Sequence, residues 1–324
     1  MNLLITGAAG FIGSHLLEHI LKSDSLKPSR IIVLDALRYS GLKSNVDRSR
    51  NFGDFEFVLA DLADLSKVKE IFDKYEISDC INLAAESHVD RSIVNAKSFF
   101  DSNVIGVFNL LENFRIFSSG RFLQVSTDEV YGSIENGNWS ESSPLNPRSP
   151  YAASKASADL IISSYVNTYG MNAVITRCSN NYGPRQFPEK FIPLAVTNLL
   201  VGKNVPIYGN GKNIRDWIHV SDHCQGILKV FMNGNCGEIY NIGGHHEVSN
   251  FELARKIISF MGLDESLIQF VPDRKGHDFR YSVDDSKVQA GLQHMNLINF
   301  EIGLQDTIDW YAANEIWWRD LISS

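Results

Sequence analysis

Five side chains able to move protons stand close together in the middle of this 324-residue chain. They are Thr127, Asp128 and Glu129 in the run STDEVYG at 126–132, and Tyr151 and Lys155 in YAASKA at 151–156. A lysine one helical turn after a tyrosine faces the same side of a helix, and its ammonium favours the phenolate, so the pair can act as a base toward an alcohol. Thr127 can relay the proton through its hydroxyl. Asp128 and Glu129 add an acid and a base, which would let the same site expel water from an oxidised substrate. Taken alone, a Tyr-x-x-x-Lys pair is usually helix surface, and an Asp-Glu pair is usually a solvated loop. In a strand, moreover, adjacent side chains point to opposite faces. Joint chemistry therefore requires Asp128 and Glu129 to lie just past a strand end, where open α/β sheets bind ligands.

The surrounding sequence supplies such strands. Short apolar runs at 2–6, 30–35, 55–60, 79–84, 121–126 and 173–178 alternate with helical patterns up to about 22 and at 65–75, 97–117 and 151–169. This alternation predicts an α/β fold, a Rossmann-type doubly wound parallel sheet covered on both faces. After Cys178 the rhythm breaks into loops rich in Asn, Gly and Pro, with helices expected at 189–201, 222–232 and 250–260. No repeat or polar linker divides the chain. The reading is a dinucleotide-binding domain over 1–178, to which later segments return, and a smaller interleaved substrate lobe over 179–324.

Gly7, Gly10 and Gly13 join the first strand to the first helix, the context in which a glycine fingerprint carries meaning. Such glycines permit a tight turn and let backbone approach a pyrophosphate at the helix N-terminus. Asp35 closes the second strand, where a carboxylate can accept hydrogen bonds from an adenosine ribose and repel a 2′-phosphate. NAD is expected over NADP. The plainer reading, packing glycines and a strand-end cap, does not account for both features in register.

Composition narrows the class further. A formal net charge of −8 argues against a nucleic-acid partner, and 44% hydrophobic residues suffice for a large core. Cys80, Cys178, Cys224 and Cys236 show no CxxC pairing and read as reduced thiols. The chain opens on a strand, without a basic or apolar leader, and no apolar run approaches a membrane span. A cytoplasmic protein with no membrane partner is expected. Trp310, Trp317 and Trp318 are interrupted by charges and read as a docking amphipathic helix. His88, His219 and His223 read as structural hydrogen-bonding residues, and no metal-ligand spacing is present.

Taken together, TGAAGFIGS at 6–14, LAAESHVDRSI at 83–93, STDEVYG, YAASKA, SNNYGPRQFPEKFIP at 179–193, RDWIHVSDH at 215–223, YNIGG at 240–244 and DRKGHDFRY at 273–281 resemble the dTDP-glucose 4,6-dehydratases of the extended short-chain dehydrogenase/reductase superfamily. Lys275 departs from the family, which usually has Pro there. The resemblance implies NAD contacts at Gly7, Gly10, Phe11, Ile12, Gly13, Asp35, Asp61, Leu62, Leu83, Ala84, Ala85, Ser87, Ser102, Tyr151, Lys155 and Asn181. For the nucleotide-sugar substrate it implies Ser87, Thr127, Asn180, Lys190, Phe191, Pro206, Ile207, Tyr208, Arg215, Asn250, Asp273, Arg274 and His277. Arg215 is the best candidate for a bidentate diphosphate contact, against the alternative of a local ion pair with Asp216.

The implied reaction oxidises the sugar at C4 with Tyr151 as base, removes the C5 proton with Glu129, expels the 6-hydroxyl with Asp128 as acid, and reduces C6. NAD would be restored in every turnover and held as a prosthetic group. Alternatives on the same scaffold are a UDP-glucose dehydratase, or an epimerase or decarboxylase, whose reactions have no C6 water to expel. A non-catalytic NAD-binding protein would not need Tyr151 and Lys155. Apolar Val104, Phe108, Leu111, Ile161, Ile162 and Tyr165 exceed one sheet-facing stripe, which, with the family, suggests a homodimer built on a four-helix interface.

Overall fold

The computed structural model describes residues 1–322. Its strands, in chain order, are β1 (Asn2–Thr6), β2 (Arg30–Asp35), β3 (Glu56–Leu59), β4 (Asp79–Asn82), β5 (Phe122–Thr127), β6 (Ala173–Cys178), β7 (Asn180–Tyr182), β8 (Val205–Tyr208), β9 (Ile214–His219), β10 (Ile239–Ile242), β11 (Glu247–Ser249) and β12 (Ile268–Val271). Seven form one all-parallel sheet in the order β10-β6-β5-β4-β1-β2-β3. β5 and β6 are buried along their whole length, as strands of a sheet covered on both faces must be. The strand order reverses between β1 and β4, which opens a crevice at the carboxyl ends of the strands.

Apolar layers cover both faces. On one, Leu16, Leu17 and Ile20 of the helix Phe11–Leu21 meet Ile227 and Val230 of the helix Val220–Asn233. On the other, the helices Leu65–Tyr75, Gly106–Phe117 and Pro150–Tyr169 bury Val68, Phe72, Leu110, Phe114, Ala158 and Ile162. Beneath the crevice a buried polar chain crosses three strands. The Thr6 hydroxyl donates to Asn82 Oδ1, and Asn82 Nδ2 donates to Gln124 Oε1 at 2.7 Å.

The expected helix over 97–117 is continuous but not regular. Between Ala96–Phe100 and Gly106–Phe117 the chain makes a wide turn, Asp101–Ile105, with bonds one residue longer than those of an α-helix. That turn aims Asn103 inward. Its amide group exchanges hydrogen bonds with the backbone of Glu86 (2.9 and 3.0 Å) and donates to Ser154 Oγ at 2.9 Å. Leu111, Ile162 and Tyr165, expected at a subunit contact, are instead buried in this chain's own core; Phe108 is exposed. Half of the surplus apolar character thus faces the sheet.

The second lobe is built on the three strands β11-β9-β7 and the pair β12-β8. Its core runs from Tyr182 and Ile192 to Leu304, Tyr311 and Trp318. The tryptophan tail lies on the helices Phe300–Ala313 and Glu315–Arg319, and Trp318 Nε1 donates to the Tyr311 carbonyl at 2.7 Å. β10 and the helix Val220–Asn233 return to the large sheet. Helices at Lys43–Ser49, Val89–Val94 and Ser286–Leu292 lie outside the sequence expectation. No helix among the described residues is long and apolar enough to cross a membrane.

Candidate active site

A cleft of about 450 Å³ lies along the carboxyl ends of β1, β2, β4, β5 and β6 and extends under the second lobe. Its floor is made by glycines. Gly7 has a φ of +69°, and a Cβ there would sit 2.6 Å from the Ala84 backbone nitrogen. Gly10 ends the turn, and no side chain caps the helix that follows, so its first N–H groups are free to face an anion. Asp35, at the end of β2, accepts from the backbone N–H of Ala9 (2.9 Å) and of Leu37 (2.8 Å), and burial pushes its carboxyl up from the ordinary range. An anion cradle with a carboxylate one strand away fits the pyrophosphate and ribose of a dinucleotide. Phe11, Ile12, Gly13, Asp61, Leu62, Leu83, Ala84, Ala85, Ser87, Ser102 and Asn181 line the same cleft.

The proton-moving residues come from two adjoining elements. β5 ends at Thr127, and Asp128–Tyr131 form one tight turn in which Thr127 Oγ1 accepts from the Glu129 N–H at 3.3 Å. Asp128 and Glu129 therefore sit beyond the strand, and both line the cleft. The helix Pro150–Tyr169 begins with a Ser149 cap on the Ala152 N–H and proline in its first turn, and it ends at Gly170 in the left-handed region. This start brings Tyr151 and Lys155 to the cleft.

Their electrostatics differ in instructive ways. Asp128 is buried, its Oδ2 has no hydrogen-bond partner, and burial beside the Glu129 carboxylate pushes its pKa well above the usual range. Glu129 is also raised by burial, but Arg274, Arg215 and Lys190 pull it back. The two carboxyls are thus biased toward acid and base respectively. Burial lowers Lys155 to about 8, and its Nζ donates to the Val125 carbonyl at 2.7 Å. Tyr151 departs from the sequence argument. Burial and the Glu129 carboxylate push its phenol well above the ordinary value, and the Thr127 hydroxyl, not Lys155, is the group that pulls it down.

On the substrate side, Asn180, Lys190, Phe191, Pro206, Tyr208, Arg215, Asn250, Arg274 and His277 line the cleft. Ile207 does not. It is fully buried in the second-lobe core, because strand alternation turns it away from its neighbours Pro206 and Tyr208. Asp273 stands outside the lining and accepts from His277 Nδ1 at 2.7 Å. Arg215 and Asp216 do not pair. Arg215 donates to the carbonyls of Ile214 and Asp278 (2.7 and 2.9 Å) and lies 4.3 Å over the Tyr281 ring. Asp216 accepts instead from Ser179 Oγ and the N–H groups of Gly244 and His246.

The sequence reading passed over Arg38, Glu86, Glu189 and Tyr281, all of which line the cleft. Glu86, Glu189 and Tyr281 lie inside motifs already quoted, so a signal existed; Arg38 carried none. His88 lines the cleft and accepts from the Arg91 N–H, while His223 bonds to Asn181 Oδ1 at 2.8 Å. Among the described residues, no group of three or more His, Cys, Asp or Glu is arranged to hold a metal.

Comparison with known proteins agrees with this geometry. The GDP-mannose 4,6 dehydratase family matches residues 4–307. A dTDP-glucose 4,6-dehydratase of Actinoplanes is 47% identical over 98% of this chain and 100% of its own length. The dTDP-glucose 4,6-dehydratase DesIV of Streptomyces venezuelae, solved with NAD and dTDP bound, superposes with a TM-score of 0.96 at 46% identity, covering 99% of this chain and all of DesIV. The UDP-glucose 4-epimerase of Thermotoga maritima shares the fold (TM-score 0.89, 97% of this chain, 100% of its own) at only 27% identity. With identity running end to end and an acid–base pair placed beyond β5, the chain belongs to the dTDP-glucose 4,6-dehydratase family.

Proposed function

We propose that this protein is a hydro-lyase that converts dTDP-glucose to dTDP-4-keto-6-deoxyglucose in a cleft that also holds NAD. The observation that carries the reading is Asp128 beside Glu129 past the end of β5, one carboxyl driven toward the neutral form and the other flanked by cations. NAD, when bound, supplies a positively charged hydride acceptor for C4 and gives the hydride back at C6 of the same sugar. Tyr151 takes the proton of the 4-hydroxyl, with Thr127 as its hydroxyl neighbour. Lys155, fixed by the Val125 carbonyl, places positive charge behind this step. Glu129 removes the C5 proton, which the 4-ketone has made acidic. Asp128 gives its proton to the departing 6-hydroxyl, and water leaves. Arg215, Arg274 and Lys190 offer the diphosphate the local positive charge that an acidic protein otherwise lacks.

Residues 1–178 serve mainly NAD and residues 179–324 mainly the nucleotide sugar, with β10 and the helix Val220–Asn233 returning to the first part. The protein works in the cytoplasm as a homodimer. Support for the dimer is the exposed apolar set Ile105, Phe108, Ile116 and Leu160 on two helices; light scattering that finds only monomer at micromolar concentration removes it. The reaction itself is tested with dTDP-glucose deuterated at C4. The product should carry the label at C6 and a solvent-derived hydrogen at C5, read by NMR. Label remaining at C4 would point to an epimerase, and UDP-glucose as the better substrate would correct the base.

A further inference from the structure

The segment between β2 and the helix Lys43–Ser49 runs as a strap along the NAD side of the cleft, tied through Leu37, Arg38, Tyr39, Gly41 and Leu42. It leaves Asp35 through Leu37, which adopts a left-handed φ of 48° and donates its N–H to the Asp35 carboxylate at 2.8 Å. Arg38 spans from Asp61 at 2.7 Å to Glu86 at 3.3 Å. A turn closes from the Gly41 N–H to the Arg38 carbonyl at 2.8 Å, and the Leu42 N–H donates to the Ala9 carbonyl beside the glycine cradle at 2.9 Å. Arg38, Ser40 and Gly41 line the cleft; Tyr39 does not. It reaches across to the other side.

The Tyr39 hydroxyl donates to Glu189 Oε1 at 2.7 Å. Its ring meets Phe187 edge-on at 5.5 Å and carries the Arg91 guanidinium 3.8 Å above its face. Arg91 Nε holds the other Glu189 oxygen at 3.2 Å. One carboxylate therefore receives both a phenol from the NAD side and a guanidinium, and it belongs to the residue preceding Lys190 on the substrate side. No step of the proposed chemistry uses Tyr39. Its position is explained by closure: a cofactor restored in every turnover must not escape while substrate and product exchange. We infer that Tyr39 is a positioning residue, the clasp that fastens the strap to Glu189 and retains NAD between turnovers. The inference rests on NAD as the bound cofactor.

The test loads the full-length protein with labelled NAD, dilutes it into excess unlabelled NAD, and follows retained label by rapid filtration. Tyr39→Phe keeps the ring against Phe187 and Arg91 and removes only the hydroxyl. A hydrogen bond to a charged acceptor corresponds to about a tenfold or greater rise in the release rate. Glu189→Ala should raise release similarly, and adding Tyr39→Phe to it should change little further, because the two act through one bond. The melting temperature of NAD-free Tyr39→Phe should fall by only a few degrees, about what one lost hydrogen bond costs, which separates a clasp from a general loss of folding. Release from Tyr39→Phe at the parent rate overturns the inference, as do effects of the two substitutions that simply multiply. A parent protein that takes up no labelled NAD overturns the proposed function itself.

Discussion

Asp128 and Glu129 are adjacent carboxyls that must do opposite work, and their surroundings separate them: one is buried with a single oxygen bonded, by Thr127, and the other lies within the field of three cations. Removing the Glu129 carboxylate with Glu129→Gln should cut turnover by about 100-fold or more and stop solvent hydrogen from entering C5, a readout taken by NMR in deuterated water. Tyr151→Phe should lower kcat by about 1,000-fold, since oxidation then lacks its base. Lys155 sets a pH limit. It is charged below about 8 and loses its ammonium above, so kcat/KM should fall as pH rises through that value, and the limb should vanish in the much slower Lys155→Met enzyme. The sequence made these residues legible because their types and spacing are themselves the chemistry. It could not make the Tyr151 phenol's environment legible, because that depends on burial and on how close the Glu129 carboxylate comes from the turn beyond β5.

At the scale of elements, legibility followed the strength of the apolar pattern. β6 and the helices Leu65–Tyr75 and Asn250–Phe260 begin and end where their sequences suggest, each combining a clear apolar period or run with punctuation such as the Ser249–Glu252 capping box. The helix Lys43–Ser49 is about two turns long with a single buried aliphatic, Val46, and offers no period to read. Ile207 was misplaced for a different reason: carrying over 206–208 as a consecutive run does not say which residues of a strand face the ligand. The tail reads correctly as a docking element, and its anchor is Trp318, 1% exposed with its indole N–H bonded to Tyr311. Trp318→Ala should cost about 3–5 kcal/mol of stability in urea unfolding. Glu315→Ala, on the exposed side of the same short helix, should change it by less than about 1 kcal/mol.

The molecule as a whole carries a net charge of −8 yet buries two histidines, His223 and His294, whose charged forms burial disfavours. His223 is fully buried, and burial lowers its pKa from 6.5 to about 3. The unfolded chain takes up that proton near pH 6.5 and the folded chain does not until about pH 3. Stability present at pH 7 is therefore lost as pH falls through this window, by up to about 1.4 kcal/mol per pH unit from this group. Urea midpoints at pH 7, 6 and 5 should show the slope, and His223→Gln should flatten it. The interleaving of the two lobes was legible only in outline. That β10 would rejoin the large sheet beside β6 follows from long-range pairing, which no local window of sequence contains.

The wide turn at Asp101–Ile105 amounts to one residue more than the helix needs to continue. Substitutions in an α-helix are usually milder than length changes, which turn everything downstream by about 100°. Here the order is reversed. Deleting one residue from 101–105 lets the helix close into a regular spiral with both flanking halves still in phase, so the core survives. What disappears is the local widening that carries Ser102 to the cleft and turns Asn103 inward to Glu86 and Ser154. A one-codon deletion at this point is the edit that should yield a folded protein with an impaired cleft, and it marks the widening as an insertion kept for the site and not for the fold.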